Sequence, residues 1–328
     1  MRGPGRAVGP PPCRPPPVRP RVLKYLGRRL ALAVPTVVLT SIVVFLMLFF
    51  IPGDPASIYI GEQTATPERM AQIRHVMGLD RPIYVQYGDF AWRALHGNLG
   101  RSLQTSRPVS AEILTRFPNT LQLAAAAMAL AIVLGFGLGL VSALHRSSAV
   151  DTMSMMVALF GVSMPVFWLA LLLIMIFSLR LGWLPATSEP GWRGLVLPAV
   201  SLALLSAATL ARLMRSNMLE VLQLDYLKTA RAKGLRGAVV VFRHAVPNAV
   251  IPVITAMGLQ FGGLLSGAVL TETIFARPGL GKLVVDSILN KDLPTVQGVV
   301  LVLAIIYTAM NLLVDLSYAL IDPRIRFE

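Results

Sequence analysis

Between Thr120 and Leu144 the chain reads TLQLAAAAMALAIVLGFGLGLVSAL, 25 residues without one charged side chain. A bilayer core of about 30 Å is crossed by roughly 20 helical residues, so this stretch is long and apolar enough to span a membrane. Its glycines at 135, 137 and 139 superficially suggest a dinucleotide loop, but such a loop follows a strand. Within an uninterrupted apolar run, small residues four apart serve the close packing of helices. Gly135 and Gly139 are therefore read as packing positions.

Five more stretches repeat the pattern: 30–51, 153–179, 194–211, 249–271 and 297–321. The fourth span in chain order is the shortest, and Arg212 and Arg215 at its end are expected to reach the headgroups with their long side chains. The first span is too long for a signal-peptide core, and Ile51-Pro52-Gly53-Asp54-Pro55 offers no small-residue cleavage site; it reads as a permanent anchor. The expected fold is all-α, a polytopic membrane protein with six transmembrane helices. Composition agrees, with 55% hydrophobic and 14% charged residues where a soluble domain carries about 25% charged. The single cysteine, Cys13, excludes an internal disulfide. His75, His96, His145 and His244 are too scattered for a metal site, so none is expected.

The net charge of +14 is explained by its distribution. With six spans both termini share a side. That side holds 18 of the 30 lysines and arginines and 6 of the 16 acids, giving +12 against +2 opposite. Such asymmetry orients a membrane protein with its basic side in the cytoplasm, which puts both termini there and makes a nucleic-acid partner unnecessary. Residues 1–21, with eight prolines and five arginines, have the composition of a disordered basic tail. The remainder, 22–328, forms the membrane domain, with an extracytoplasmic insertion over about 52–118 and a cytoplasmic region over about 212–247. Within the insertion, Thr66 and Pro67 suit a helix start and Gly78 a helix end, with Met70, Ile73, Val76 and Met77 on one face.

Within 212–247 the segment DYLKTARAKGL, residues 225–235, places Tyr226, Leu227, Ala230 and Gly234 at helical spacing among Lys228, Arg231 and Lys233. A short surface helix is expected, ending at a glycine able to turn left-handed. This segment resembles the cytoplasmic motif of the membrane-spanning subunits of binding-protein-dependent ABC importers: Glu-Ala-Ala, three residues, Gly, nine residues, Ile, one residue, Leu-Pro. Ala230, Gly234 and Pro247 match, whereas Lys228, Thr229, His244 and Val246 depart from it. The departures resemble the dipeptide, oligopeptide and nickel branch. So do Gly53-Asp54-Pro55, Leu79-Asp80-Arg81-Pro82, Gln86-Tyr87, Gly97-Asn98-Leu99-Gly100 with Ser102, Pro278-Gly279-Leu280-Gly281, Asp292 to Gln297 and the ending Asp322-Pro323-Arg324.

The resemblance, which runs from Tyr25 onward, implies the type I importer permease fold and a role as first permease of a pair. The expected partners are a second homologous permease, two ABC ATPase subunits, an extracytoplasmic solute-binding protein and the lipid bilayer, and the expected location is the cytoplasmic (inner) membrane. The cargo it implies is di- or oligopeptides or related small solutes. It makes residues 226–234, namely Tyr226, Leu227, Lys228, Thr229, Ala230, Arg231, Ala232, Lys233 and Gly234, together with Pro247, the helix through which the ATPases move the bundle. Tyr226 and Leu227 would supply apolar anchors, the small residues close approach, and the cations orientation against acidic partners.

No catalytic or nucleotide site of the chain's own is expected. Gly279-Leu280-Gly281-Lys282 lacks the spacing and the Ser or Thr of a phosphate loop, so ATP and Mg belong to the partner subunits and no cofactor to this chain. Gly258, Gly262, Gly263 and Gly267 mark the fifth span for close packing or for the pathway, with Gln260 and Asn311 as polar lining candidates. Asp315 is read as the one acid within a span, near its inner end, where it can reach the interface or Arg324. The absence of other buried ionisable groups argues against the alternative, an ion-coupled secondary transporter of small solutes.

Overall fold

A computed structural model describes residues 18–50, 80–189 and 191–321, with the isolated positions 68 and 75. The expected helix over 66–78 and the side chains of the Asp315–Arg324 pair lie outside what is described. The described residues contain no strand, only one isolated bridge between Arg101 and Pro108. Helices follow in the order α1 (Val18–Phe50), α2 (Ile83–Leu95), α3 (Val109–Leu144), α4 (Ala149–Ser163) and α5 (Val166–Arg180). Then come α6 (Arg193–Val221), α7 (Asp225–Ala232), α8 (Gly237–Ile274), α9 (Leu280–Leu289) and α10 (Leu293–Ile321). Helix α1 starts at Val18, so the last four residues of the expected tail are helical.

Among the described residues, five helices are long and apolar enough to cross a membrane: α1 over Arg29–Met47, α3, α6, α8, and α10 over Leu293–Val314. The expected span 153–179 is corrected. It is not one rod but the pair α4 and α5, bent by 105°. The cause is Pro165, which lacks an N–H and disfavours helical geometry in the residue before it; Met164 accordingly sits at φ −95, ψ 131. Counting this bent pair as one span gives six. Helix α3 begins at Val109 and α6 ends at Val221, well beyond the apolar limits, because polar residues continue a helix once it leaves the hydrocarbon.

The core forms where α3 lies along α6. Leu123, Ala124, Ala127 and Ala131 of α3 are buried with Ala203, Ala207, Leu210 and Met214 of α6 in the main cluster, joined by Ala249, Val253 and Leu264 of α8. Apolar side chains gain little from burial against one another when lipid is the alternative, so close contact of small residues carries the packing. Gly135 and Gly139 do this as the sequence suggests. A Cβ on Gly135 would stand 2.7 Å from Leu210 Cβ, and one on Gly139 2.5 Å from the Ala211 carbonyl.

Contacts at the helix ends fix the alternation of the chain. Gln297, near the start of α10, donates to the Val44 carbonyl near the end of α1, and Ser142, at the end of α3, reaches Asp151 at the start of α4. We call the face where α1 begins proximal and the opposite face distal. Helix α7 and the α3–α4 turn are proximal; α2, α9 and the segment before α3 are distal.

Candidate functional site

Helix α7 is the segment singled out by sequence. Asp225 in its first turn suits the positive end of the helix dipole and accepts from Lys228 Nζ at 2.8 Å. At the other end Leu235 N donates to the Ala230 carbonyl and Gly234 N to the Arg231 carbonyl. These two bonds form a Schellman cap, which needs a left-handed residue at its centre. Gly234 supplies it with φ +78.

Leu227 is fully buried in the main core, and Ala230 packs against that core. Leu227 is therefore an anchor, but to its own bundle. The side turned outward carries Lys228, Thr229, Arg231, Ala232 and Lys233, all exposed, with Leu224 and Leu235 as exposed apolar residues at its two ends. The helix thus presents a small, cationic surface and holds it on a buried leucine.

Tyr226 is the second tether, through its hydroxyl rather than its ring. Pro247 lies inside α8, in the first turn of its part Val246–Ile274, and having no N–H it cannot complete the helical ladder. The turn before it, Val240–Ala245, is π-helical. Prolines and π-turns free carbonyls from the regular pattern, and the carbonyl of His244 is satisfied by side chains. Tyr226 donates its hydroxyl hydrogen to it at 3.1 Å and Asn248 Nδ2 donates at 2.8 Å. Asn248 Nδ2 also donates to the Tyr226 oxygen at 3.0 Å. Pro247, Tyr226 and the His244 carbonyl therefore form one local unit joining α7 to α8.

The glycines of α8 divide by neighbour. A Cβ on Gly258 would collide with Val314, and one on Gly262 would meet Tyr307 at 3.1 Å and Asn311 Oδ1 at 3.6 Å. These two seat α8 on α10. Gly267 faces Leu202 of α6, whereas nothing lies within 4 Å of a Cβ on Gly263. Gln260 is half-buried. Positions two apart on a helix are turned by about 200°, so Gln260 is on the side of α8 away from Gly262 and Asn311. Asn311 instead lines a crevice between α1 and α10 with Arg29, Thr36 and Tyr307. The two polar candidates do not share a lining.

The sequence reading missed several buried ionisable residues, and its expectation that Asp315 stands alone is corrected. On the proximal face Asp151 accepts Nε and Nη2 of Arg215, each at 2.8 Å, and also the Ser142 hydroxyl and Ser147 N. Arg215 thus pairs with Asp151 instead of extending to headgroups. On the distal face Glu272 and Arg277 are buried. Arg277 spreads its guanidinium over the Asn119 carbonyl at 3.3 Å, Ser188 Oγ at 3.0 Å and Gln122 Oε1 at 2.8 Å, and Asn119 Nδ2 donates to the Pro278 carbonyl. Burial draws Arg277 below its ordinary pKa while the charge of Glu272 opposes that; a guanidinium stays cationic regardless.

Glu272 Oε2 accepts the backbone N–H groups of Gly281 and Lys282, and a Cβ on Gly279 would strike its carboxylate. The glycines that imitate a phosphate loop wrap the chain's own carboxylate. A second distal knot joins Ser102 Oγ to Asp292 Oδ2 at 2.5 Å, with Leu103 N and Thr295 Oγ1 on the same carboxylate. The signal that was available is positional: each missed charge lies within a few residues of a span end, where an acid needs a partner. All are fastened at the faces, and none forms a polar relay across the midplane.

Comparison with known proteins matches residues 135–327 to the family described as binding-protein-dependent transport system inner membrane component. Residues 22–124 match the N-terminal part of such membrane components. A di/tripeptide transport system permease protein of Pseudomonas aeruginosa is 44% identical, over 94% of this chain and 100% of its own. A glutathione transport system permease protein of Escherichia coli is 41% identical, over 94% and 100%. Among solved structures, a methionine ABC transporter in inward-facing conformations superposes with a TM-score of 0.56 at 16% identity, over 64% of this chain and 96% of that one. An amino acid ABC transporter does so at 0.53 and 15%, over 64% and 94%. At these identities the solved structures speak for the fold alone.

Proposed function

Since the chain belongs to the inner-membrane components of binding-protein-dependent transport systems, we propose that it is the permease through which separate ATPase subunits drive uptake of di- or oligopeptides or related small solutes. The proximal face is then cytoplasmic, with both termini there, and the membrane is the cytoplasmic one. A second, homologous permease completes the pathway, two ATPase subunits bind ATP and Mg, and a solute-binding protein delivers cargo to the distal face. The peptide class rests on the names of relatives such as the di/tripeptide permease.

The observation that carries the reading is the mounting of α7. Its inward side is fixed to the core by Leu227 and to α8 by the Tyr226 hydroxyl, while Lys228, Arg231 and Lys233 face outward. A force applied to the outward side reaches α6 through the short connection at 222–224 and α8 through the His244 carbonyl. The chain needs no catalytic group for this; its work is to stay rigid between the ATPase and the spans.

The test is Gly234→Val in the assembled transporter. A β-branched residue at φ +78 is strained, so the cap opens although no atom crowds the site. The variant is expected to insert and assemble while ATP hydrolysis continues with uptake lost. Uptake at the unsubstituted rate refutes the assignment of α7. Competition of labelled dipeptide uptake by longer peptides and by glutathione then separates the cargo classes.

A further inference from the structure

Helix α2 has no buried residue, yet it is strongly two-sided. At about 100° per residue, Gln86, Asp89, Arg93 and His96 occupy one side. Tyr87, Phe90 and Ala94 occupy the side against α1, and Tyr84, Trp92 and Leu95 fall within roughly 80° of one another on the adjoining arc. That last group is 74%, 66% and 81% exposed, so this apolar arc of α2 is left uncovered by the described residues.

The depth of α2 follows from its contacts. Tyr87 shares a hydrogen bond of 2.8 Å with Ser41, and the rings of Tyr87 and Phe90 each lie 5.7 Å from that of Phe45. Ser41 and Phe45 both belong to the apolar segment Arg29–Met47 of α1. Gln297, which opens the apolar stretch 297–321, bonds to the Val44 carbonyl, so Phe45 stands beside the distal end of the apolar zone and Ser41, at about 1.5 Å per residue, roughly 4–5 Å inside it. A helix seated there, beside a span whose own apolar residues Val38, Leu39 and Val43 are exposed, lies at the edge of the hydrocarbon. Tryptophan and tyrosine favour that depth, and a helix with one charged side and one aromatic side lies in the interface plane. The charged side is occupied by the Arg81–Asp89 pair at 3.2 Å and by Arg93.

We propose that α2 is an in-plane membrane helix whose face of Tyr84, Trp92 and Leu95 is covered by phospholipid of the distal leaflet, tying the segment between the first two spans to the bilayer surface. The occupant is lipid and not a docked soluble protein, because the patch continues the lipid-facing side of α1. The proposal rests on the membrane fold and is independent of the cargo.

The experiment places nitroxide side chains at Tyr84, Trp92 and Leu95, and at Gln86 as the polar reference, in the whole chain carrying Cys13→Ser. The transporter is held in nanodiscs of phosphatidylethanolamine and phosphatidylglycerol. Collision with oxygen exceeding collision with a water-soluble nickel chelate at the three apolar positions, and the reverse at Gln86, supports the proposal. Nickel collision dominating at Trp92 and Leu95 overturns it, as does immobilisation of those labels only when the solute-binding protein is added. A second measurement leaves α2 unaltered. With Trp168, Trp183 and Trp192 replaced by Phe, fluorescence from Trp92 is expected to be quenched by lipids brominated near the headgroup end of the acyl chain. Unquenched fluorescence overturns the proposal.

Discussion

The hydroxyl of Tyr226 lies 3.1 Å from the carbonyl oxygen of His244, 18 residues further along the chain, and this bond joins the short helix α7 to the turn that precedes Pro247. Tyr226→Phe removes the bond and keeps the ring. One neutral hydrogen bond is worth about 1 kcal/mol, and the His244 carbonyl retains Asn248 Nδ2, so insertion and assembly are expected to be unchanged. The transmission of force to α8 is not. Uptake per ATP hydrolysed should fall several-fold in proteoliposomes, with hydrolysis near the unsubstituted rate. Equal ratios for the two proteins would remove Tyr226 from the coupling unit.

Leu227 offers the contrast. It is completely buried in the main core, and truncating a buried leucine costs about 2–5 kcal/mol. Leu227→Ala is therefore expected to lower the thermal midpoint of the purified protein and its yield in membranes, where Tyr226→Phe does neither. Measuring both by fluorescence-detected size exclusion after heating separates a structural tether from a transmitting one.

The cations on the outward side of α7 are expected to steer association rather than to hold the fold. Lys228 pairs with Asp225 while 65% exposed, and an exposed pair contributes little to stability. Replacing Arg231 and Lys233 together by Glu should leave the thermal midpoint unchanged. It should slow binding of the ATPase subunits by at least tenfold at low salt, with the deficit shrinking as salt rises. A salt-independent defect would point to lost packing instead.

The spans and the short surface helix were legible because their signals are local: charge-free runs of sufficient length, and a helix closed by Gly234. The bend at Met164–Pro165 was less so, since prolines 35, 118, 198 and 252 sit inside continuous helices and only the neighbours decide which proline breaks its helix. The buried charges were hidden for another reason. Asp151 and Arg215 are 64 residues apart, and Ser102 and Asp292 are 190 apart; no periodicity reports such meetings. Gln260 and Asn311 show the converse, polar residues in neighbouring spans that the helix phases turn apart.

Asp151 and Arg215 are expected to behave as one unit. Arg215 donates to both carboxylate oxygens, and removing either partner leaves the other charged and poorly solvated. Asp151→Asn and Arg215→Gln should each lower the thermal midpoint by a few degrees, while the double variant falls by clearly less than the sum. A strictly additive pair would show that the contact contributes no coupling.

Arg277 is the point where three distal segments meet, since its guanidinium reaches Asn119, Gln122 and Ser188 at once. A lysine carries its three donors on one nitrogen and cannot span those acceptors. Arg277→Lys is therefore expected to cost about 1.5–3 kcal/mol, the range for hydrogen bonds to a charged group. Arg277→Met removes the charge as well and leaves Glu272, completely buried, with neutral partners such as the N–H groups of Gly281 and Lys282. That variant should be the least stable of the three, since it also removes the nearby positive charge that favours the Glu272 carboxylate. Adding Glu272→Gln to Arg277→Met should restore part of the loss, because the amide oxygen still accepts from Gly281 N and no charge is left uncompensated. Thermal midpoints of the three variants in one detergent decide it: if the double variant is no more stable than Arg277→Met, the two charges do not support each other, and Arg277 serves only as a hydrogen-bonding clasp.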